Sequence, residues 1–319
     1  MEFGSYASNE IYKEAPKYGI KATAISYRDN FILLEYKWKK ELIKQTATRF
    51  TNLIQGRICD NKFLAIQYIR DHGIHNVPQN IVIETLEEVD WESIKYPIVI
   101  KPQKWHGGKW VSVGIKNKKE FQNAFQIAKK ECFRVLIEEQ VEWDDYRFLV
   151  IGKKVFVTKR LPANITWNWT STILELINKE NNKRKNAKDK LLETIKIDEE
   201  VERMLKNLAL TLQTIPKKWE TIFLRKNANL STWWNAIEYT NETHEANKKL
   251  AFKIAKTMDM KIIAIDFLFK DIHQKYSKDN GIVIEINDTP WIRLHHPREK
   301  EVVKEILELL FPNSTIWKY

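Results

Sequence analysis

The sequence predicts a mixed α/β to α+β protein, and three observations carry that expectation. Short β-branched and aromatic runs such as "PIVIKP", "FRVLIEEQV" and "IIAIDFLF" have strand character. Stretches with helical apolar spacing alternate with them from one end to the other, which excludes a pure bundle or a pure sandwich. At 319 residues, with 43% hydrophobic and 30% charged residues, the chain can bury a substantial core in one large domain or in two to three joined lobes.

The elements follow in order. "IYKEAPKYGIKATAISY", from Ile11, reads as a helix and a strand, and "NFILLEYKWKKELIKQ" alternates as a hairpin does. "DNKFLAIQYIRDH", from Asp60 to His72, has helical spacing behind an Asp suited to cap it. The strands "PIVIKP" and "WVSVGI" flank a glycine-bearing loop, residues 118–130 form an amphipathic helix, and "FRVLIEEQV" is a strand leading outward. "YRFLVIGKKVFVTKRLPANI" then reads as two strands joined at "GKK", and residues 178–212 as a charged, mostly helical stretch. A helix over 246–258, the strands "IIAIDFLF" and "IVIEIN", and a helix over 299–310 complete the pattern, with no internal repeat.

No apolar run approaches the roughly 18 residues of a membrane span, and "MEFGSYASNE" lacks the apolar core of a signal peptide, so a cytoplasmic protein is expected. Cys59 and Cys132 have no metal-ligand spacing and fit a reducing compartment. The net charge of +11 is compatible with nucleic acid, an anionic surface or an anionic small molecule. The chain is rich in Lys, Asn and Ile together, which raises the pI without any single basic patch, so nucleic acid is not the expected partner.

The chemistry-bearing residues are mostly oxygen donors and lysines. Glu285 and Asn287, two apart on a strand, share a face that Asp266 on a neighbouring strand can join. Three hard oxygen ligands without Cys or His suit Mg²⁺, or Mn²⁺ in its place, held partly by nucleotide phosphates. The same spacing also describes two ordinary strands ending in solvated acids. Lys62 and Lys101 are candidate phosphate contacts, Lys101 ending an apolar strand just before the loop with Gly107 and Gly108. Glu138, Glu139, Gln140 and Val141 end a strand and offer hydrogen bonds to an adenine; taken singly, each is also an ordinary solvated group.

The run "ICDNK…YPIVIKP…HGGK…VLIEEQV…DYRFLVIGKKVFVTKRLPANIT…FLRKNANLST…AIDFLF…IVIEIN…TP…LHHP" resembles the ATP-grasp carboxylate-amine ligases. The branch is that of cyanophycin synthetase and of the ATP-grasp part of bifunctional glutathione synthetase. The resemblance is collinear from about Glu41 to Pro312, and "KRLPANIT" and "LRKNANLST" are particular to that branch. It implies an ATP-grasp fold with a short N-terminal segment (1–58), a small lobe (59–140) and a C-terminal lobe (141–319). It implies an ATP-dependent ligase that joins a small-molecule carboxylate to an amino-acid or peptide amine through an acyl-phosphate. Cyanophycin-like peptide extension is the second expectation, and a degenerate domain that binds nucleotide or a protein partner without turnover is the non-enzymatic one. Lys62 and Lys101 would bind phosphates beneath the loop from Lys104 to Trp110. Glu138 to Val141 would hold adenine, Asp145 ribose, and Asp266, Glu285 and Asn287 the metal. Arg160, Arg225 and Asn229, in the branch-specific motifs, would stabilise the acyl-phosphate and the oxyanion. His244, Arg293 and His295 are further candidates for a substrate carboxylate. Homo-oligomerisation is left open. The charged "NKENNKRKNAKDK" departs from the branch, and a solvated loop leading into a helix is expected there.

Glycine and tryptophan are out of proportion. Average usage gives about 22 glycines for this length, whereas the chain has 9, with 12 tryptophans. Trp110, Trp143, Trp167, Trp169, Trp219, Trp233, Trp234 and Trp291 fall where the branch pattern has glycine, Trp233 and Trp234 at an expected turn. Trp38 sits at a hairpin turn. Trp91, Trp105 and Trp317 have no such counterpart. Glycine at all 12 would raise its count from 9 to 21. The pattern predicts UGA codons whose native product is glycine.

Overall fold

The computed structural model describes residues 1–104, 110–186, 194–217, 221–224 and 233–312. Helix α1 (Tyr6–Glu14) and a 3-10 turn (Ala15–Tyr18) lead into three strands, β1 (Lys21–Ser26), β2 (Phe31–Tyr36) and β3 (Lys39–Lys44). The alternating run forms the expected hairpin, turning at Lys37 and Trp38 with Lys37 at φ +53°. Helices α2 (Leu53–Cys59) and α3 (Lys62–Asp71) follow. The cap of α3 is one residue later than predicted: the Asn61 side chain accepts from the Leu64 N–H at 3.1 Å, while Asp60 closes α2. Asn caps a helix as well as Asp does, so the spacing alone does not choose between them.

Next come β4 (Asn80–Ile83), β5 (Ile98–Pro102), β6 (Ser112–Ile115), α4 (Lys118–Lys129) and β7 (Val135–Glu139). The predicted pair of strands is β8 (Asp144–Ile151) and β9 (Lys154–Pro162), joined through Gly152 at φ +55°. They lead to β10 (Asn164–Thr166), α5 (Ile173–Asn186), α6 (Glu199–Asn207), β11 (Thr221–Phe223) and β12 (Trp233–Glu238). Helix α5 starts earlier than its charged portion, because Ile173, Leu176 and Ile177 form a buried apolar face ahead of it. Trp233 and Trp234 open strand β12 rather than forming a turn. The chain continues through α7 (Glu245–Thr257), β13 (Ile262–Phe269), β14 (Gly281–Asn287), a 3-10 segment (Ile292–Arg298) and α8 (Glu299–Leu310).

The sheets run in the orders β1-β2-β3, β4-β7-β5-β6, β10-β11 and β12-β9-β8-β13-β14. Neighbours in the first three, and β8-β13-β14 in the last, are antiparallel, so the fold sits on the α+β side of the predicted class. The chain divides into two compact units, one drawn from Met1–Gln79, Val141–Lys159 and Ala236–Tyr319, the other from Asn80–Gln140 and Arg160–Asn235.

In the first unit, β8 and β13 are apolar on both faces. Phe148, Val150, Ile263, Ile265 and Phe267 pack with Ile66 and Ile69 of α3 and Leu250 and Ile254 of α7. Leu149, Ile151, Ile262 and Ala264 pack with Ile11 of α1 and Val303, Ile306 and Leu307 of α8. A sheet covered on both sides reads as continuous hydrophobic runs, which is how "FLVI" and "IIAI" appear in the sequence. The second unit has its own apolar clusters, one of α4 against β5 and β7, the other of α5 and α6 with β10 and β11.

Candidate active site

The first unit places three charged side chains in one row. Arg147 on β8, Asp266 on β13 and Glu285 on β14 are direct cross-strand partners, so their side chains stand on the same face. Arg147 donates to Asp266 with both arms, Nε to Oδ1 at 2.6 Å and a terminal nitrogen to Oδ2 at 2.7 Å. Both are buried, Arg147 at 4% exposure and Asp266 at 1%. Lys62, the first residue of α3, reaches Glu285 Oε1 at 2.9 Å. Asn287 shares the face of Glu285 by the two-residue period of the strand, and its buried Nδ2 finds no hydrogen-bond partner among the described residues. The structure thus brings Lys62, Asp266, Glu285 and Asn287 together.

Asp288 continues this edge and lies against α2 at Gly56. Cys59, one turn along α2, is buried; that burial, and then the charges of Asp288, Asp60 and Glu285, push its thiol well above the ordinary range. A thiol held protonated is unreactive. Both cysteines are free.

Among the described residues no group of three or more His, Cys, Asp or Glu side chains is placed to hold a metal ion. The set on β13 and β14 is two carboxylates and one amide, an all-oxygen set that fits a hard divalent cation only if other oxygens complete the shell. Arg147 does not exhaust Asp266, because each carboxylate oxygen has a second lone pair.

In the second unit, Lys101 on β5 is buried and pairs with Glu138 Oε2 on β7 at 2.5 Å. Glu138 Oε1 is buried with no hydrogen-bond partner among the described residues, as are both amide atoms of Asn80, directly opposite on β4. Gln140 accepts from the Gly114 N–H through its side-chain oxygen, and Gly114 has φ +73°. Glu139 is exposed, and Arg160 is buried on β9. Val141 and Asp145 are half-buried and belong to the first unit. Gly107, Gly108, Arg225 and Asn229 lie outside the described residues. His244 caps α7, its Nδ1 accepting from the Ala246 N–H at 3.0 Å. His295 is buried with Nδ1 2.8 Å from Thr158 Oγ1, and Arg293 lies over the Tyr6 ring.

Arg147 and Asn80 are the additions that sequence reasoning missed. Arg147 stood inside the quoted "DYRFLV", and only the register with Asp266, 119 residues later, gives it a partner. No helix among the described residues is long and apolar enough to cross a membrane.

The chain is 34% identical to the bifunctional glutathione-biosynthesis protein of Clostridium perfringens (strain 13 / Type A) over 311 residues, 93% of this chain and 40% of that one. With a cyanophycin synthetase of Trichormus variabilis it shares 31% over 319 residues, 97% of this chain and 35% of the relative. The crystal structure of a bifunctional glutathione synthetase from Pasteurella multocida matches with a TM-score of 0.73 at 27% identity, covering 96% of this chain and 44% of that one. The chain has the ATP-grasp fold. Its homologues are ATP-dependent ligases of the glutathione-biosynthesis and cyanophycin-synthetase kinds, and it spans less than half the length of each of these relatives. No family model matches the chain.

Proposed function

We propose that this ATP-grasp protein is a carboxylate-amine ligase that forms an amide through an acyl-phosphate, in the manner of a glutathione synthetase or, second, of a cyanophycin synthetase. The observation that carries the proposal is the oxygen row of Asp266, Glu285 and Asn287 with Lys62 against it. Such a row across neighbouring strands, with a cation reaching in from a helix start, suits polyphosphate chemistry. A non-catalytic role is not favoured, because the homologues are ligases.

In this reading Lys62 and Lys101 bind phosphate oxygens as point charges. Glu138 holds Lys101 in place, while Glu139, Gln140 and Val141 offer hydrogen bonds to adenine and Asp145 to the ribose. Asp266, Glu285 and Asn287 hold Mg²⁺ or Mn²⁺, which when bound neutralises charge on the phosphates. Arg160, Arg225 and Asn229 meet the negative charge that develops on the transferred phosphoryl group and on the oxyanion. No side chain serves as nucleophile, since carboxylate and amine both belong to substrates and positioning supplies much of the rate.

The test is a panel of amino acids and dipeptides, offered in pairs with ATP and scored by ADP release and product mass. ADP release that needs both substrates, with a product lighter than their sum by one water, is expected. Nucleotide binding without release across the panel would count against the ligase reading.

A further inference from the structure

We infer that Arg147 is a positioning residue: it fixes the Asp266 carboxylate and balances its charge, so that a divalent cation binds together with nucleotide rather than before it. The inference rests on the reading of Asp266, Glu285 and Asn287 as cation ligands. Burying a carboxylate as deeply as Asp266 is costly unless a cation compensates its charge. Arg147, its direct cross-strand neighbour, meets both oxygens with a planar fork that no lysine reproduces. Lys62 stands to Glu285 in the same relation, through a single ammonium. Each carboxylate therefore has a tethered cation, and a metal ion arriving alone meets acids whose charge is already balanced. Nucleotide phosphates bring the negative charge and the further oxygens that the cation needs.

The experiment is a Mn²⁺ titration followed by electron paramagnetic resonance, with and without a non-hydrolysable ATP analogue. Wild-type protein is compared with Arg147→Lys, Arg147→Met and Glu285→Gln. Wild type is expected to bind Mn²⁺ at least about tenfold more tightly with the analogue than without it. Arg147→Met frees a carboxylate, so Mn²⁺ alone should bind it about tenfold more tightly than wild type and should raise its Tm. Arg147→Lys keeps the charge and loses the fork. It should weaken Mn²⁺ binding in the presence of analogue by roughly threefold or more, without changing metal-free analogue binding. If Arg147→Met does not fold, Arg147→Lys decides alone. Mn²⁺ binding equal to wild type in the arginine variants overturns the proposal for Arg147. Unchanged Mn²⁺ binding by Glu285→Gln overturns the metal reading itself, whatever the arginine variants show.

A second inference rests on backbone conformation at positions 110 and 169 and on exposure at positions 38 and 291. Trp110 and Trp169 have φ of +64° and +82°, a region that is an outlier for a bulky residue and open to glycine. Trp38, Trp110 and Trp291 are 84%, 40% and 53% exposed; Trp169 is 65% exposed, with its ring 4.4 Å from that of Trp167. Trp91 behaves otherwise, packing edge-on against Phe121 at 4.9 Å beneath Lys118. We propose that positions 38, 110, 169 and 291 are glycine in the protein its own cell makes, encoded by UGA, and that Trp91 is a true tryptophan. Peptide masses of the natively purified protein, read beside the coding DNA, test this. Glycine masses over UGA codons are expected at the four positions, and tryptophan masses or UGG codons there overturn the inference.

Discussion

Gly56 and Asp288 meet so closely that a Cβ at position 56 would lie 2.8 Å from Asp288 Oδ2. Alanine for glycine inside a helix ordinarily stabilises by about 0.5–1 kcal/mol. Here the methyl must push a carboxylate away from α2, so Gly56→Ala is expected to cost about 1–3 kcal/mol instead. The start of α3, with Lys62, follows α2 by two residues, so nucleotide affinity should fall along with stability. Thermal denaturation checks the sign, and a raised Tm would show that the contact yields without strain.

Glu10 on α1 predicts a pH dependence. Burial, then the hydrogen bond and the charge of Glu299 on α8, raise its carboxyl from 4.5 to about 7, with Lys13 opposing and Glu14 adding to the rise. The folded chain holds this proton more tightly than the unfolded chain, so its contribution to stability is greatest below about pH 4.5 and is lost as pH rises to about 7. Glu10→Gln should flatten that part of the stability curve and gain on the order of 1 kcal/mol at pH 8, allowing for solvent screening. Urea titrations at pH 5 and pH 8 measure it; equal slopes in the two proteins would contradict the assignment.

Much of the fold was legible because its signals are local. The hairpin of β2 and β3, helix α4, and strands β13 and β14 are short periodic runs bounded by turn residues. Glu285 and Asn287 were legible as neighbours because a period of two places them on one face of β14, whereas Asp266 joins them through the register of β13 with β14. The Arg147–Asp266 and Lys101–Glu138 pairs were not, since they depend on register between strands 119 and 37 residues apart, which no local pattern encodes. The two compact units are each assembled from separated segments, and a linear pass along the chain has no signal for that. Trp233 and Trp234 were read as a turn from a glycine expectation, whereas strand pairing takes them into β12.

The tryptophans should differ in sign. Trp110→Gly and Trp169→Gly relieve a left-handed backbone and are each expected to stabilise by about 1 kcal/mol. Trp91→Ala removes a packed indole and should cost about 3 kcal/mol. Denaturant midpoints compare the three, and a loss of stability in both glycine variants would refute the backbone argument.

Glu285→Gln and Asp266→Asn separate ligation from folding. Both should abolish Mg²⁺-dependent turnover. Glu285 is half-buried, so its variant should keep Tm within a few degrees. Asp266→Asn leaves the buried Arg147 charge without a counter-charge and should cost about 3–5 kcal/mol. Retained turnover at limiting Mg²⁺ in the Glu285 variant would remove it from the metal set.

The most direct measurement is ADP formation by the purified protein as a function of paired substrates, with the product weighed by mass spectrometry. The ligase reading predicts ADP and an amide in equal amounts, appearing only when ATP, a carboxylate and an amine are all present. ADP formation indifferent to the amine, or none with any pair although nucleotide binds, would contradict it.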